Sequence, residues 1–462
     1  MNKKRLAYGV LVLSLLACNT VTRLAYPPTA TSVPTLTATA SLTPTPAPLL
    51  PAFIPPECAS IPLATVPPDQ VLLQPTLTAE PNVEISRDTQ LRVFKDLTDV
   101  IDEVYVYPDF NGVDWEAIKA QYRSRIEAGL DTETFYLETY AMIEELGDEH
   151  SYFLSPLGVE ASEAELKGDN EYVGVGIYSS PDEERQTFTV ISTFPNSPAE
   201  YAGIRPHDRI IAVDGIPLEI NDNTINRVRG PQCSAVVLTV LSPGGEPRDL
   251  LLIRSPITGG LNIATQLVPT TDGSKIGYIF IPTFFDETIP PQIEEALNNF
   301  GPLDGLILDV RLNGGGSSSV VDPIFEHFVS GRLGAFVSRE ETRDLDIRAN
   351  PIHNSQTVPL VIIVSEDTVS FGEIFSGVLR DAGRAKIVGE TSLGNVEVLN
   401  GYRFDDGSQV WIAAETFKSA FSEANWELSG IVPDVPAYAE WDTITFETDP
   451  SIAAAVELLG YK

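Results

Sequence analysis

Val358-Pro-Leu-Val-Ile-Ile-Val-Ser-Glu-Asp-Thr-Val-Ser-Phe-Gly-Glu-Ile-Phe-Ser-Gly377 is the stretch from which the fold of this chain is read. Leu360 to Val364 is a run of large aliphatics, the pattern of a strand buried on both faces. A polar turn, Ser365 to Thr368, follows. Phe371, Ile374, Phe375, Val378 and Leu379 then recur at helical spacing, with Gly383 as the stop. Ser370 therefore falls at a strand-to-helix turn, where the helix dipole favours developing negative charge. The same residues admit a simpler role, because Ser370-Phe-Gly-Glu373 also fits the S-x-x-E capping box.

Asp304-Gly-Leu-Ile-Leu-Asp-Val310 reads as a second buried strand, and it runs into Arg311-Leu-Asn-Gly-Gly-Gly316. Consecutive glycines let backbone amides approach a ligand closely. A phosphate-binding P-loop is excluded because no Gly-Lys-Ser/Thr follows. In a parallel sheet, two such strand ends open on one edge, where sites form. A hydroxyl on one loop and bare amides on the other suit acyl transfer. From Ile276 to Val435 strands and helices alternate, so an α/β core with a parallel sheet is expected.

Asp309-Val-Arg-Leu-Asn-Gly-Gly-Gly316, Thr368-Val-Ser-Phe-Gly-Glu373 and Gly389-Glu-Thr-Ser-Leu-Gly394 resemble the ordered core motifs of the tail-specific, or C-terminal processing, serine peptidases. Ile276 to Ile281 and Gly430-Ile-Val-Pro-Asp434 follow the same pattern, and the similarity runs from about Leu91 to the C-terminus. The resemblance implies Ser370 as nucleophile and the amides of Phe371 and of Gly315 or Gly316 as oxyanion hole. It departs from the family at one point. Most members pair the serine with a lysine in a Gly-Lys-Gly turn. Here Asn395 stands at that place, and Leu399 stands where a glutamine usually follows. An amide takes no proton from a hydroxyl, so a Ser–Lys dyad is excluded at this position.

Leu146-Gly-Asp-Glu-His-Ser-Tyr152 resembles the family's Gly-Asp-x-His-Ser/Thr signature. In tricorn-like branches that use serine and histidine, this would make His150 the general base. Asp148, Glu390 and Asp434 are candidates to orient it. The alternative is a non-catalytic relative that binds peptides as an envelope scaffold.

Of the 462 residues, 30 are basic and 65 acidic, giving a formal charge of −35, which argues against a nucleic-acid partner. No His/Cys/acid cluster has metal-ligand spacing, so neither metal nor organic cofactor is expected. Residues 1–18 read as a leader: Lys3, Lys4 and Arg5, an apolar run from Leu6 to Leu16, then Leu15-Leu-Ala-Cys18. That ending resembles a lipobox, implying lipidation at Cys18 and a bacterial membrane anchor outside the cytoplasm. Residues 19–85, rich in Thr and Pro, read as a disordered tether. Residues 86–160 have helical periodicity, with Leu91, Phe94, Leu97, Val100, Ile101 and Val104 on one face. Residues 170–256 read as a β-rich module resembling a PDZ domain, and 257–462 as the core. In the module, Gly174, Val175, Gly176 and Ile177 would hold a peptide carboxylate, so partners are substrates with free C-termini. The remaining cysteines, Cys58 and Cys233, are either a bridge or two buried thiols. Oligomeric state is left open.

Overall fold

The computed structural model describes residues 50–59, 82–148, 150–166, 172–220 and 227–462. The leader, Cys18 and most of the expected tether lie outside the described residues. The helical block comprises α1 (Arg87–Val104), α2 (Trp115–Ala128) and α3 (Thr132–Glu144). Ser86, Asp114 and Asp131 cap these helices with side-chain oxygens on backbone amides. The face of α1 buries Phe94, Leu97 and Ile101, as the spacing predicts. The short β1 (Tyr152–Leu154) and α4 (Pro156–Leu166) close the block.

The β-rich module holds β2 (Tyr172–Gly174), β3 (Ile177–Asp182), β4 (Thr187–Thr193), α5 (Pro198–Tyr201), β5 (Arg209–Val213), β6 (Ile216–Pro217), β7 (Ala235–Leu241), β8 (Arg248–Ile253) and β9 (Ser255–Ile257). Its sheet runs β3-β4-β5-β7-β8 with β6 beside β5, so β3 is an edge strand; β2 and β9 form a separate pair. The module leans on the core through Trp441, whose Nε1 donates to the Val190 carbonyl at 3.1 Å. Arg185 adds an ion pair to Asp442 at 2.8 Å.

The core contains β10 (Thr265–Val268), β11 (Ile276–Phe280), α6 (Ile289–Phe300), β12 (Gly305–Asp309), α7 (Ser318–Phe328), β13 (Gly331–Val337), β14 (Thr342–Ile347), β15 (Leu360–Val364), α8 (Phe371–Asp381), β16 (Lys386–Gly389), β17 (Val398–Arg403), β18 (Gln409–Ser419), α9 (Trp426–Ser429), β19 (Val435–Pro436) and α10 (Pro450–Leu458). One sheet runs β10-β11-β12-β15-β16-β19, parallel from β11 onward, with β10 antiparallel at the edge. Every residue of β11, β12 and β15 is buried, which is why these strands read as unbroken apolar runs.

The structure adds to two expectations and corrects a third. The core has the expected parallel sheet, and beside it β13, β14, β17 and β18 join β1 in a second, antiparallel sheet. The helical block is joined to that second sheet, where Phe153 of β1 pairs with Val410 of β18. Alternating strands such as β14 carry half the apolar content of a doubly buried strand, so they stand out less in the sequence. The tether is also shorter than 19–85. Its residues 50–59 are placed, Phe53 stacks on Tyr201 with ring centroids 4.1 Å apart, and Cys58 is bonded to Cys233. The Cα atoms of the two cysteines are 5.3 Å apart across a separation of 175 residues.

A cross-link closing so long a loop restricts the unfolded chain, so Cys58→Ser should cost about 2–4 kcal/mol. Urea unfolding should give the same loss for wild type under reductant. Coincident midpoints for oxidised, reduced and Cys58→Ser protein would show that the bridge constrains nothing.

Candidate active site

The turn after β15 is pinned to the end of β12. The Thr368 hydroxyl donates to the Val310 carbonyl at 2.9 Å, and the Val369 amide to the Asn313 carbonyl at 3.0 Å. Ser370 follows at φ 55° and ψ −121°, a conformation residues with side chains rarely adopt. Such strain costs on the order of 1–3 kcal/mol and persists only where the surroundings impose it. A serine serving only as a cap is extended, as Ser86 is at φ −68° and ψ 156°. The capping-box sequence is present, and Glu373 does reach the Ser370 amide at 3.3 Å. The Glu373 amide, however, goes to the Ser370 carbonyl at 2.9 Å.

Glu373 is fully buried, and its carboxylate also accepts from Ser392 Oγ at 2.5 Å and from the amides of Gly394 and Asn395 at 2.7 and 2.8 Å. Burial pushes this carboxyl above the usual glutamate range, against the pull of those donors. The Ser370 amide in turn donates to the Asn395 carbonyl at 2.9 Å. Asn395, where the sequence resemblance leads one to expect a lysine, is 5% exposed, and its Oδ1 has no partner among the described residues.

The glycine loop closes against the serine. A side chain at Gly315 would come within 2.7 Å of Ser370 Cβ and 3.1 Å of Oγ, so only glycine fits. The Gly315 amide, one of the expected oxyanion donors, is already given to Asn313 Oδ1 at 2.9 Å. That expectation is corrected, because the buried Asn313 uses the donor to shape the loop. The amides of Gly316 and Phe371 find no acceptor among the described residues, and these two remain as candidate donors.

His150 reaches the core through the turn at the end of the helical block. Asp148 accepts from the amides of His150 and Ser151 at 3.0 and 2.8 Å and from the Ser151 hydroxyl at 2.6 Å. The Ser151 hydroxyl accepts from the Ala413 amide of β18 at 3.0 Å. These bonds account for the Gly-Asp-x-His-Ser pattern: Asp148 builds the turn, Ser151 docks it, and His150 is presented. Asp148 thus serves the backbone and not the imidazole. Asp434 accepts from the Ile387 amide at 2.8 Å, and Glu390 lies among Glu366, Asp367 and Glu440, which with burial push its carboxyl up. None of the three expected acids orients His150.

The partner is Glu397, which the sequence reading missed. Its Oε2 lies 3.2 Å from His150 Nδ1, and its Oε1 accepts from the Tyr107 hydroxyl at 2.5 Å. Burial raises the Glu397 carboxyl, but the neighbouring His150, Glu427 and Tyr107 outweigh it and leave it below the ordinary value. Glu427, which accepts the Val396 amide at 2.7 Å, is pushed strongly up by burial and by Glu397, so it keeps its proton. Ser370 and His150 are therefore tied to one short segment, 395–397, through Asn395 and Glu397. Position was the only available signal for Glu397, two residues past the missing lysine. Among 65 acidic residues that is little contrast.

In the β-rich module, Gly174 pairs with Ser255 and Ile177 opens β3. Val175 is 1% exposed, and Gly176 has φ 80° with no room for a side chain against Ser197. The Val175 and Gly176 carbonyls point into the module, accepting from Ala199 and Phe194 at 2.9 and 3.1 Å. Their amides have no acceptor among the described residues.

Comparison with known proteins matches residues 275–437 to peptidase family S41, 88–135 to the Tricorn protease C1 domain and 194–241 to the PDZ domain. The carboxyl-terminal-processing protease of Synechocystis sp. is 28% identical over 376 residues, covering 78% of this chain and 84% of its own. The carboxy-terminal processing protease CtpB of Bacillus subtilis is 27% identical, covering 64% of this chain and 61% of its own. The photosystem II D1 C-terminal processing protease shares the fold, with a TM-score of 0.53 at 24% identity, over 80% of this chain and 97% of its own. By sequence, module order and fold, the chain is a relative of the C-terminal processing serine peptidases, with a PDZ domain and a peptidase family S41 core.

Proposed function

We propose that this chain is a lipid-anchored, extracytoplasmic serine endopeptidase that cleaves peptide bonds through an acyl-enzyme. Its PDZ domain recognises substrate C-termini. The observation that carries the reading is the strained backbone of Ser370, tied to the segment that also carries the His150–Glu397 contact.

The Glu397 carboxylate facing Nδ1 selects the tautomer that leaves His150 Nε2 as a base. Ser370 Oγ attacks the peptide carbonyl and its proton passes to Nε2. The C–N bond then breaks, and the imidazolium gives the proton to the leaving amine. Water, deprotonated by the same ring, hydrolyses the ester and frees serine and carboxylic acid. The amides of Gly316 and Phe371 receive the oxyanion, and one donor of this kind contributes ~10²–10³ in rate. Glu427, holding its proton, donates to Glu397 and keeps the pair from bearing two negative charges. The PDZ domain presents β3 as an open edge for strand addition, with the Val175 and Gly176 amides available for a carboxylate. Cys18, by the lipobox resemblance, carries the anchor.

A serine-directed acylating probe should label Ser370 in wild type. Labelling should fall by about 10²-fold or more in His150→Ala and clearly, though less, in Glu397→Gln. A wild type inert to the probe, yet binding peptides, would make the chain a peptide-binding scaffold; labelling that survives loss of His150 would leave the base elsewhere. For the PDZ domain, peptides with free C-termini should bind more tightly than the same peptides amidated, and equal affinities would remove it from C-terminus selection. Cys18→Ser should move the protein from the membrane fraction to the soluble fraction. An unmodified, soluble wild-type N-terminus would sink the anchor.

A further inference from the structure

We propose that Phe285 forms an apolar subsite, taking an aliphatic or aromatic substrate side chain within two positions of the scissile bond; the inference rests on the peptidase reading above. Phe285 is 54% exposed, although its neighbour Phe284 is wholly buried against Phe375 at 5.5 Å. Isolated exposed apolar residues elsewhere on the surface, such as Leu428, need no explanation. Phe285 differs in where it stands and in how firmly it is held.

Its place is the rim of the glycine loop. Phe284 bridges Gly316 in parallel: its amide donates to the Gly315 carbonyl at 2.8 Å, and its carbonyl accepts from Ser317 at 2.9 Å. A side chain on Gly316 would lie 2.0 Å from the Phe284 carbonyl carbon and 2.5 Å from the Phe285 nitrogen. Gly315, the next residue, abuts Ser370. The backbone of Phe285 thus adjoins Gly316, whose amide is one of the two candidate oxyanion donors. A substrate carbonyl seated between the Gly316 and Phe371 amides carries its flanking residues past this ring, at roughly 3.3 Å per residue of extended chain.

The turn that bears it is rigid. The Phe285 amide donates to Thr283 Oγ1 at 3.1 Å. Asp286 accepts from the Thr288 amide at 2.8 Å through one oxygen and from the Leu261 amide at 2.6 Å through the other. Asp286 is therefore committed to the turn. An aromatic ring on an immobile turn loses little entropy on contact and gains apolar burial when covered. The ligand chemistry it fits is an apolar side chain.

Peptide pairs differing only in leucine against asparagine, at each of two positions on either side of the scissile bond, test this. At one or more positions wild type should favour leucine about 10-fold or more in kcat/KM, mainly through KM. Phe285→Ala should erase that preference, and Phe285→Leu should retain most of it. A small acylating probe with no flanking residues should label Ser370 equally fast in wild type and Phe285→Ala. A wild type indifferent to the exchange, or a leucine preference undiminished in Phe285→Ala, overturns the inference. If wild type resists the probe, the peptidase reading fails, and the Kd of C-terminally amidated peptides reads Phe285 directly. A leucine preference lost in Phe285→Ala then supports the subsite, and equal Kd values overturn it.

Discussion

The buried carboxylate of Glu373 is the constraint on which the rest of the site depends. It holds the amides of Ser370, Gly394 and Asn395 and the hydroxyl of Ser392 on one anion, out of water. Two pieces of chain distant in sequence are thereby locked together: the turn that leads from β15 into α8, and the loop after β16. Burying a charge is costly unless it is fully hydrogen-bonded, and here it is. Without it, the Ser392 hydroxyl and the amides of Gly394 and Asn395 would lose this acceptor, and Ser370 would keep only the Asn395 carbonyl.

The second feature is the charge balance around His150. Asn395 contributes its backbone, accepting the Ser370 amide through its carbonyl. The ionisable groups come from elsewhere: His150 and Tyr107 from the helical block, Glu397 and Glu427 from the core. Two buried carboxyls side by side cannot both be charged. One is ionised toward His150 and Tyr107 while the other keeps its proton, which gives the cluster a single negative charge beside the imidazole.

The third feature is the attachment of the modules. The helical block is sewn to the antiparallel sheet by β1 and by the Ser151–Ala413 bond, so His150 is positioned by sheet pairing and not by a loose domain contact. The PDZ domain meets the core through side-chain contacts, with Trp441, Asp442 and Asn262 as the core's partners. It is secured independently at Cys233 by the segment around Cys58.

What the sequence by itself determined is local. Leu360 to Val364 and Asp304 to Val310 declare strands buried on both faces, and the periodicity from Phe371 to Leu379 declares α8. Ser370 at the junction and the glycines beside it follow from those elements, because hydrophobic pattern and turn chemistry act over a few residues. Asn395 announced by itself that no lysine dyad forms there. Tertiary structure decided the rest. It gave the Gly315 amide to Asn313, set Glu397 in place of Asp148, Glu390 or Asp434 as the partner of His150, and joined Cys58 to Cys233. Each of these pairs is made when separate elements pack. Spacing along the chain carries no record of which of many acids, amides or thiols a fold will bring into contact with another.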